Sequence, residues 1–346
     1  MKERLTVDEL KNYELNILKF IDYVCKKYDI KYFVNYGTLL GSVRHKGFIP
    51  WDDDIDISMY REDYERFQKA VIEEDNERYG ILSKDNSEWY FQNFFVVIDK
   101  YTLLEDNVKR NRRDSNVFVD VFPIDRFNDL NFVKKAHLMV TLRHICFIKK
   151  KFIIHKDSRI KDFCRVTFWY LLKFVNPRFF TKKIEKLVEK YSDENGIYEG
   201  AVGVDKTGMK EVFKAGTYEE LIELPFEDMM VPAPKNYDKI LTQFYGDYMQ
   251  KPSDAEIEYC EDKANKAQNY AARFAAKEAV FKALSSKLDS NYSINWKDIS
   301  IEKDDNGRPI IVLYNHSEIF DNYRFDVSLS HVREYAVANV VMYSKK

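Results

Sequence analysis

The spacing of apolar residues predicts a helix near the start of the chain, from about residue 7 to residue 27. Thr6-Val7-Asp8-Glu9 has the pattern of a capping box, in which the Thr and Glu side chains satisfy each other's backbone amides. The apolar positions that fall on one side of this helix are Leu10, Ile17, Leu18, Ile21 and Cys25. The helix therefore begins a folded domain and packs that side inward.

Shorter apolar and alternating runs predict strands over residues 30–35, 54–59, 94–98 and 117–122, with helical segments over 37–44 and 61–74. Phe122-Pro123-Ile124-Asp125 is expected to end the fourth strand, because proline cannot donate to a strand ladder. Asp125 is interpreted as a turn or N-cap residue.

The chain after Pro252 has a different pattern. An Ala-rich stretch over residues 253–284 has no Pro or Gly and predicts a long helix. Asn306-Gly307 separates two apolar runs and predicts a hairpin, and two further strands are predicted over 325–330 and 335–342. We therefore expect an α+β fold in two domains, residues 1–252 and residues 253–346.

Composition narrows the possible functions. The chain has 346 residues, 45% of them hydrophobic, and a net charge of −2, so no overall field favours nucleic acid. The four cysteines are scattered without a metal-binding pair, which favours a reducing cytoplasm. The N-terminus has no apolar signal region, and no run approaches the roughly 18 apolar residues of a membrane span.

A basic and aromatic segment over about residues 131–190 interrupts the first domain. Residues 134–190 contain 16 Lys or Arg and 4 Asp or Glu. Amphipathic helices with solvated basic faces are one interpretation. The other is a surface that contacts anionic lipid at the inner face of the plasma membrane, or a polyanionic acceptor.

Four acids lie close together before and within the second predicted strand: Asp52, Asp53, Asp54 and Asp56. Asp54 and Asp56 alternate with isoleucines, so on a strand their carboxylates would share one face, about 7 Å apart. Two like charges at that distance favour a divalent cation such as Mg²⁺, which also binds substrate phosphates. The other interpretation of Asp52 and Asp53 is that they only cap or flank the strand.

The residues around these acids suit phosphate chemistry. Gly37 and Thr38 follow the first strand, where backbone amides and a hydroxyl can approach phosphate oxygens. Arg44 and His45 are candidates for neutralising phosphate charge. Asp120, at an alternating position among apolar residues, is the candidate third carboxylate.

The segment YGTLLGSVRHKGFIPWDDDIDISMYREDYERF, together with VFVDVFPID downstream, resembles the LicD family of the nucleotidyltransferase superfamily. The resemblance covers about residues 5–252 and implies a nucleotidyltransferase-like mixed sheet with flanking helices. It assigns Asp54, Asp56 and Asp120 as metal-binding and catalytic residues, and places Gly37, Thr38, Arg44, His45 and Asp53 at the donor phosphates. Gly41-Ser42 fits the family's spacing better, but Gly37-Thr38 directly follows the strand.

This resemblance also implies a reaction. A CDP-activated donor such as CDP-choline or CDP-ribitol would transfer its phospho-alcohol group, with Mg²⁺, to a hydroxyl of a cell-surface or lipid-linked glycan. CMP would leave. A non-catalytic scaffold at the membrane surface is the competing interpretation.

The tail resembles the holo-acyl-carrier-protein synthase family through ARFAAKEAVFKAL, Asn306-Gly307-Arg308-Pro309 and Val327-Ser328-Leu329-Ser330-His331. That family transfers 4′-phosphopantetheine from coenzyme A to an acyl carrier protein. The matching positions are Glu278 for the metal and Arg273, Lys277, Lys282 and His331 for coenzyme A contacts or catalysis. The family's first strand, with its Gly-x-Asp metal ligand, is missing, so we expect an incomplete α+β unit. Family members form trimers, which implies a homo-oligomer.

Overall fold

The computed structural model describes residues 5–49, 52–104, 116–147, 170, 172, 174–204, 208–246, 248–249, 252–263, 265–284, 298–314, 322–332 and 335–345. Much of the basic segment, including residues 148–169, lies outside this set. The chain separates into two compact units, Met1–Gly246 and Asp247–Lys346. The α+β class expected from the sequence is confirmed, while the predicted boundary at residue 252 stays a prediction.

The first unit combines one mixed sheet with helices on its faces and a separate hairpin. Its helices are α1 (Val7–Lys27), α2 (Tyr36–Arg44), α3 (Arg61–Glu74), α4 (Leu130–Phe147), α5 (Arg178–Tyr191) and α6 (Tyr237–Tyr245), with a short 3₁₀ helix over Gly208–Glu211. Its strands are β1 (Phe33–Val34), β2 (Asp56–Tyr60), β3 (Tyr79–Leu82), β4 (Phe95–Asp99), β5 (Phe118–Phe127), β6 (Tyr198–Gly200), β7 (Phe213–Lys214), β8 (Leu221–Phe226) and β9 (Met229–Pro234).

The sheet places β2 and β5 at its centre. Five strands follow the order β1-β2-β5-β4-β3, and β6 pairs with β5 while β7 pairs with β6. The pair β2–β5 is parallel, and the other pairings in this sheet are antiparallel. The strands β8 and β9 form the hairpin. Both central strands have a neighbour on each side, so their backbones are fixed by two ladders.

Helix α1 forms as its sequence pattern predicts. The Thr6 hydroxyl accepts from the Glu9 amide at 3.2 Å, and a Glu9 carboxylate oxygen accepts from the Thr6 amide at 2.7 Å. This reciprocal pair satisfies two of the amides that a helix start leaves without partners. Ile17 and Leu18 are fully buried, and the helix packs against β4 and β5.

Strand β5 extends past the proline that was expected to end it, so that prediction is wrong. Val121 is the last residue of β5 that pairs with β4, and Pro123 comes two residues later, while pairing with β2 continues through Ile124. The missing N–H of Pro123 therefore lies beyond the part of β5 that pairs with β4, and such a position tolerates proline. Asp125, expected in a turn, is a buried strand residue that accepts two bonds from Arg61.

The second unit contains α7 (Asp254–Glu261), α8 (Lys266–Leu284), and two hairpins, β10–β11 (Ile299–Lys303 with Pro309–Leu313) and β12–β13 (Tyr323–Val332 with Tyr335–Ser344). The single long helix expected after residue 253 is thus two helices. Asp262 caps the first, and Asp and Asn around the break are weak helix formers. The core of the unit is formed by one side of α8 and the apolar faces of the hairpins: Ala276, Val280, Leu284, Ile299, Ile301, Ile311 and Leu313.

A search of the described residues for a helix long and apolar enough to cross a membrane finds none.

Candidate active site

The parallel pairing of β2 with β5 brings two of the predicted acids side by side. Asp56 is the first residue of β2, and its register partner on β5 is Asp120. Residues in register on neighbouring strands point to the same face of a sheet. Val96 of β4 is the next residue in this row. Two carboxylates from distant parts of the chain therefore share one face of a doubly flanked strand pair.

Helix α2 fixes the backbone of Asp56. The Thr38 hydroxyl oxygen accepts a hydrogen bond from the Asp56 amide at 2.8 Å, and Thr38 is only 3% exposed. The Asn35 amide donates to the Asp56 carbonyl at 3.1 Å, and Asn35 also caps α2 through its side chain. Thr38, predicted to contact phosphate, is thus also the residue that holds the start of β2 against α2.

Asp52 lies against the first turn of α2. A Cβ added at Gly37 would be 2.6 Å from Asp52 Oδ2, so a larger residue there would displace this carboxylate. The first turn of a helix carries partial positive charge and favours an anion. Gly37 was predicted to admit a phosphate, and in this structure an acidic side chain of the chain itself occupies the adjacent space.

Asp54 lies before β2, two residues ahead of its first residue, and is exposed. The expectation that Asp54 and Asp56 alternate on one strand is therefore wrong for Asp54. Its side chain instead shares a hydrogen bond with Asp52. Burial raises the pKa of Asp52 to about 7, and the charges of Asp54 and Asp53 add to this effect.

Burial is the largest cause of the raised pKa values of Asp52, Asp54 and Asp56, and the charges of neighbouring acids raise them further. Burial, and then the neighbouring Asp120 charge, raise the pKa of Asp56 well above its ordinary value. Asp54, Asp52 and Glu14 act in the same direction. A group of carboxylates that raise one another's pKa values is a favourable place for a cation.

Asp56 and Asp120 line a cavity of about 360 Å³. Helix α4 contributes Arg143 and His144, and the 3₁₀ helix contributes Glu211. The rest of the lining is mainly aromatic or apolar: Tyr36, Phe91, Gln92, Phe94, Phe122, Val140 and Val204. The cavity therefore combines acids that suit a cation with a guanidinium and aromatic rings, and its size suits a small ligand.

Arg143 is the buried cation of this cavity and was not singled out from the sequence. It is 3% exposed, and its guanidinium donates to the Val204 carbonyl at 3.0 Å and to the Asn93 side chain. It comes from the basic segment, where solvated faces or a lipid surface were the interpretations considered. Glu211, also missed, accepts from the Tyr36 hydroxyl at 3.0 Å. No local pattern marks either residue, because both reach the site through tertiary folding.

The other predicted donor-binding residues lie elsewhere. Within the described part of the chain, the lining of this cavity includes Asp56 and Asp120 but not Arg44, His45 or Asp53. The alternative turn, Gly41-Ser42, is packed in α2: Ser42 donates to the Thr38 carbonyl at 2.8 Å, and a Cβ on Gly41 would be 2.4 Å from the Gly47 carbonyl oxygen. These roles stay predictions.

The acids fit Mg²⁺ by the chemistry of their donors. Among the described residues, no group of three His, Cys, Asp or Glu side chains stands close enough to hold an ion alone. Mg²⁺ in enzymes is often held by only one or two carboxylates, with water and substrate phosphates completing the shell. Asp56 and Asp120 supply two such carboxylates, and their register pairing on neighbouring strands is the observation that favours a cation.

In the second unit, two of the predicted tail residues are buried, and a third is half-buried. Lys277 is 4% exposed and forms a 2.6 Å ion pair with the fully buried Glu256. Arg273 lies 3.8 Å from the centre of the Tyr259 ring and is also buried. Glu278, the predicted metal ligand, is half-buried on α8. The side chains of Lys282 and His331 lie outside the described residues.

Comparison with known proteins agrees with a transferase of phosphate esters in the first unit. The family model described as LicD/FKTN/FKRP, nucleotidyltransferase domain, matches residues 29–168. The lipopolysaccharide cholinephosphotransferase LicD of Haemophilus influenzae is 30% identical over 263 residues, which cover 73% of this chain and 95% of that protein. The chain therefore belongs to the LicD family. Its C-terminal part belongs to the 4′-phosphopantetheinyl transferase superfamily.

That superfamily's model matches residues 246–340. The holo-[acyl-carrier-protein] synthase of Ruminiclostridium cellulolyticum is 48% identical over 92 residues, 25% of this chain and 67% of that protein. The solved structure of the Helicobacter pylori enzyme in complex with coenzyme A is 30% identical, with a TM-score of 0.24, covering 31% of this chain and 90% of that one. The family models and the curated relatives confirm both resemblances stated from the sequence, and both families are transferases.

Proposed function

We propose that the first unit transfers a phospho-alcohol group, phosphocholine or a similar group, from a CDP-activated donor to a hydroxyl of a surface glycan or lipid-linked glycan, with Mg²⁺ and release of CMP. The observation that supports this most directly is the register pairing of Asp56 with Asp120 at the wall of a cavity that also contains Arg143. The Haemophilus relative is named for the transfer of phosphocholine to lipopolysaccharide.

Each group in the cavity has a role that suits this reaction. Asp56 and Asp120 would hold Mg²⁺, which neutralises charge on the donor diphosphate. The Arg143 guanidinium supplies positive charge in the lining of the same cavity, and a buried guanidinium suits phosphate oxygens. Asp120 would accept the proton of the attacking hydroxyl. The aromatic side chains Tyr36, Phe94 and Phe122 provide faces for the organic part of the donor.

The test is CMP release from CDP-choline, CDP-ribitol and CDP-glycerol by the full chain, with Mg²⁺ or with EDTA. Asp56→Asn should abolish turnover, because it removes a carboxylate that would hold Mg²⁺. The fold should stay intact, because the substitution keeps the side-chain shape and removes a repelling charge. Circular dichroism and thermal unfolding check the fold. Asp305→Asn, at an exposed turn of the second unit, is the control and should retain full turnover. Turnover by Asp56→Asn at the control's rate would refute the assignment.

The location of the reaction follows from the same proposal. A CDP-activated donor is a cytoplasmic metabolite, and glycans under construction on lipid carriers are accessible at the inner face of the plasma membrane. We propose that the chain works there as a cytoplasmic or peripheral protein, with the basic segment contributing contact to anionic lipid. Sedimentation with phosphatidylglycerol vesicles, but not with phosphatidylcholine vesicles, is the expected result.

We propose a second activity for the tail, transfer of 4′-phosphopantetheine from coenzyme A to an acyl carrier protein, because several synthases match this part of the chain. Glu278 would be its metal ligand, and the Asp ligand that this chain lacks would come from another chain. Incubation with coenzyme A and apo-carrier protein should add one phosphopantetheine to the carrier. Glu278→Gln should abolish this mass gain without changing CMP release. An unmodified carrier would refute this second activity.

A further inference from the structure

The carboxylate of Glu211 lines the candidate cavity, but it neither binds Mg²⁺ nor accepts a proton in the proposed reaction. Glu211 is the last residue of the 3₁₀ helix and is only 3% exposed. Its Oε1 atom accepts a hydrogen bond from the Tyr36 hydroxyl at 3.0 Å. Because burying a carboxylate is costly, a buried acid that lines a cavity is a candidate for contact with a ligand.

The fold holds Glu211 in place through both its backbone and its side chain. The side-chain amide of Gln243, on α6, donates to the carbonyls of Lys210 and Val212, each at 2.9 Å, so the backbone is fixed on either side of Glu211. The bond from the Tyr36 hydroxyl fixes the carboxylate. The negative charge is therefore positioned before a ligand arrives, which reduces the cost of binding.

Three aromatic rings of the cavity lining form a row that begins at the residue bonded to Glu211. Tyr36 meets Phe122 edge-on with ring centroids 5.3 Å apart, and Phe122 meets Phe94 at 4.7 Å. Tyr36 also stacks on Phe244 at 5.3 Å, and its φ of +47° lies in the left-handed region, which is costly for a residue with a side chain. The surrounding structure therefore holds the Tyr36 ring in the lining despite a backbone cost.

A carboxylate combined with aromatic rings favours one class of ligand. The faces of aromatic rings attract cations, and rings that surround a quaternary ammonium group are a recurring means of recognising it. A carboxylate in a partly buried site adds a full opposite charge. A neutral polyol would instead need hydrogen bonds to its hydroxyls, which ring faces do not supply. Since Arg143 in the same lining suits a phosphate, the cavity matches both charges of a zwitterion.

We infer that Glu211 and the rings of Tyr36, Phe94 and Phe122 bind the positively charged nitrogen of the transferred group, so that the donor is a CDP-activated amino alcohol and not a CDP-activated polyol. The inference rests on the proposed function, which leaves the alcohol open. Glu211 is thus a specificity-determining residue. Its contact with the nitrogen stabilises the bound cationic donor and takes no part in the reaction at phosphorus.

The test is the ratio of kcat/KM for CMP release from CDP-choline to that from CDP-glycerol, measured with the full chain and Mg²⁺. The parent should prefer CDP-choline. Glu211→Gln keeps the shape and an oxygen acceptor for the Tyr36 hydroxyl, and should lower the ratio by at least about tenfold, mainly through a higher KM for CDP-choline. Phe94→Leu removes a ring face and should lower the ratio by about threefold or more. Turnover of CDP-glycerol should stay near the parent's in both variants, which separates lost recognition from lost folding.

Glu73→Gln is the matched control, since Glu73 is an exposed acid on α3. It should keep the parent's ratio, and thermal unfolding checks that each variant folds. Equal ratios for Glu211→Gln and Glu73→Gln would overturn the inference. If Glu211→Gln did not fold, an unchanged ratio for Phe94→Leu would overturn it instead. A parent that uses CDP-glycerol or CDP-ribitol as well as CDP-choline would also overturn it and leave the proposed function standing. A parent that releases CMP from none of the three donors would overturn both.

Discussion

Thr38 offers the sharpest test of how the site is positioned. Its hydroxyl accepts a hydrogen bond from the Asp56 amide at 2.8 Å. Because Thr38 is only 3% exposed, water cannot easily replace the hydroxyl as the acceptor. Thr38→Val keeps the shape but removes the acceptor, leaving a buried amide without a partner. Such a loss costs about 1–3 kcal/mol. For a unit of this size, a thermal midpoint falls by about 2–4 °C per kcal/mol, so we expect a decrease of about 2–12 °C.

The rate of CMP release should fall as well, because the amide that loses its hydrogen bond is that of Asp56, whose carboxylate is the candidate metal ligand. Small displacements of a catalytic group can cost about 100-fold in rate, and we expect at least about 10-fold slower CMP release. Thr38→Ser is the control. It retains the hydroxyl and loses one methyl group, worth about 1 kcal/mol. If Thr38→Val were as stable and as active as Thr38→Ser, the hydrogen bond would have no part in holding Asp56.

Two further predictions concern packing. Lys277→Met should destabilise the second unit by about 3–5 kcal/mol in chemical denaturation, because it leaves Glu256 charged and buried. The control Lys266→Met breaks an exposed ion pair and should cost under about 1 kcal/mol. Similar losses in the two variants would contradict a stabilising role for the buried pair. Gly37→Ala should displace the Asp52 carboxylate, so its effect on thermal unfolding should depend on Asp52 and differ by at least about 0.5 kcal/mol in the Asp52→Ala background. Additive effects would show that the two residues do not meet.

The sequence predicted the elements that depend on local pattern. The capping box of α1 and the helix at residues 37–44 rest on neighbouring residues, and both are present. The pairing of strands depends on distant segments, so the alternation of Asp54 and Asp56 suggested a shared strand face, whereas the structure places Asp120 beside Asp56. Short-range alternation cannot show where a strand begins.

The misplaced end of β5 has a similar cause. Proline ends a strand only where its N–H would be needed, and the sequence does not show that β4 begins only at Phe95, opposite Val121. Arg143 and Glu211 were missed for another reason. One lies in a segment whose composition suggests a solvated surface, and the other in a short helix without a recognisable motif, so only the fold shows that both reach the cavity.

The two ladders that flank β2 and β5 have a consequence for how ligands enter and leave. Shifting Asp56 or Asp120 would break hydrogen bonds on both sides of a strand, whereas Arg143 and Glu211 are carried by α4 and a short 3₁₀ helix outside the sheet. A shift of α4 or of the 3₁₀ helix would enlarge the cavity without breaking either ladder. We therefore expect the two acids to keep their places when a ligand larger than the cavity enters.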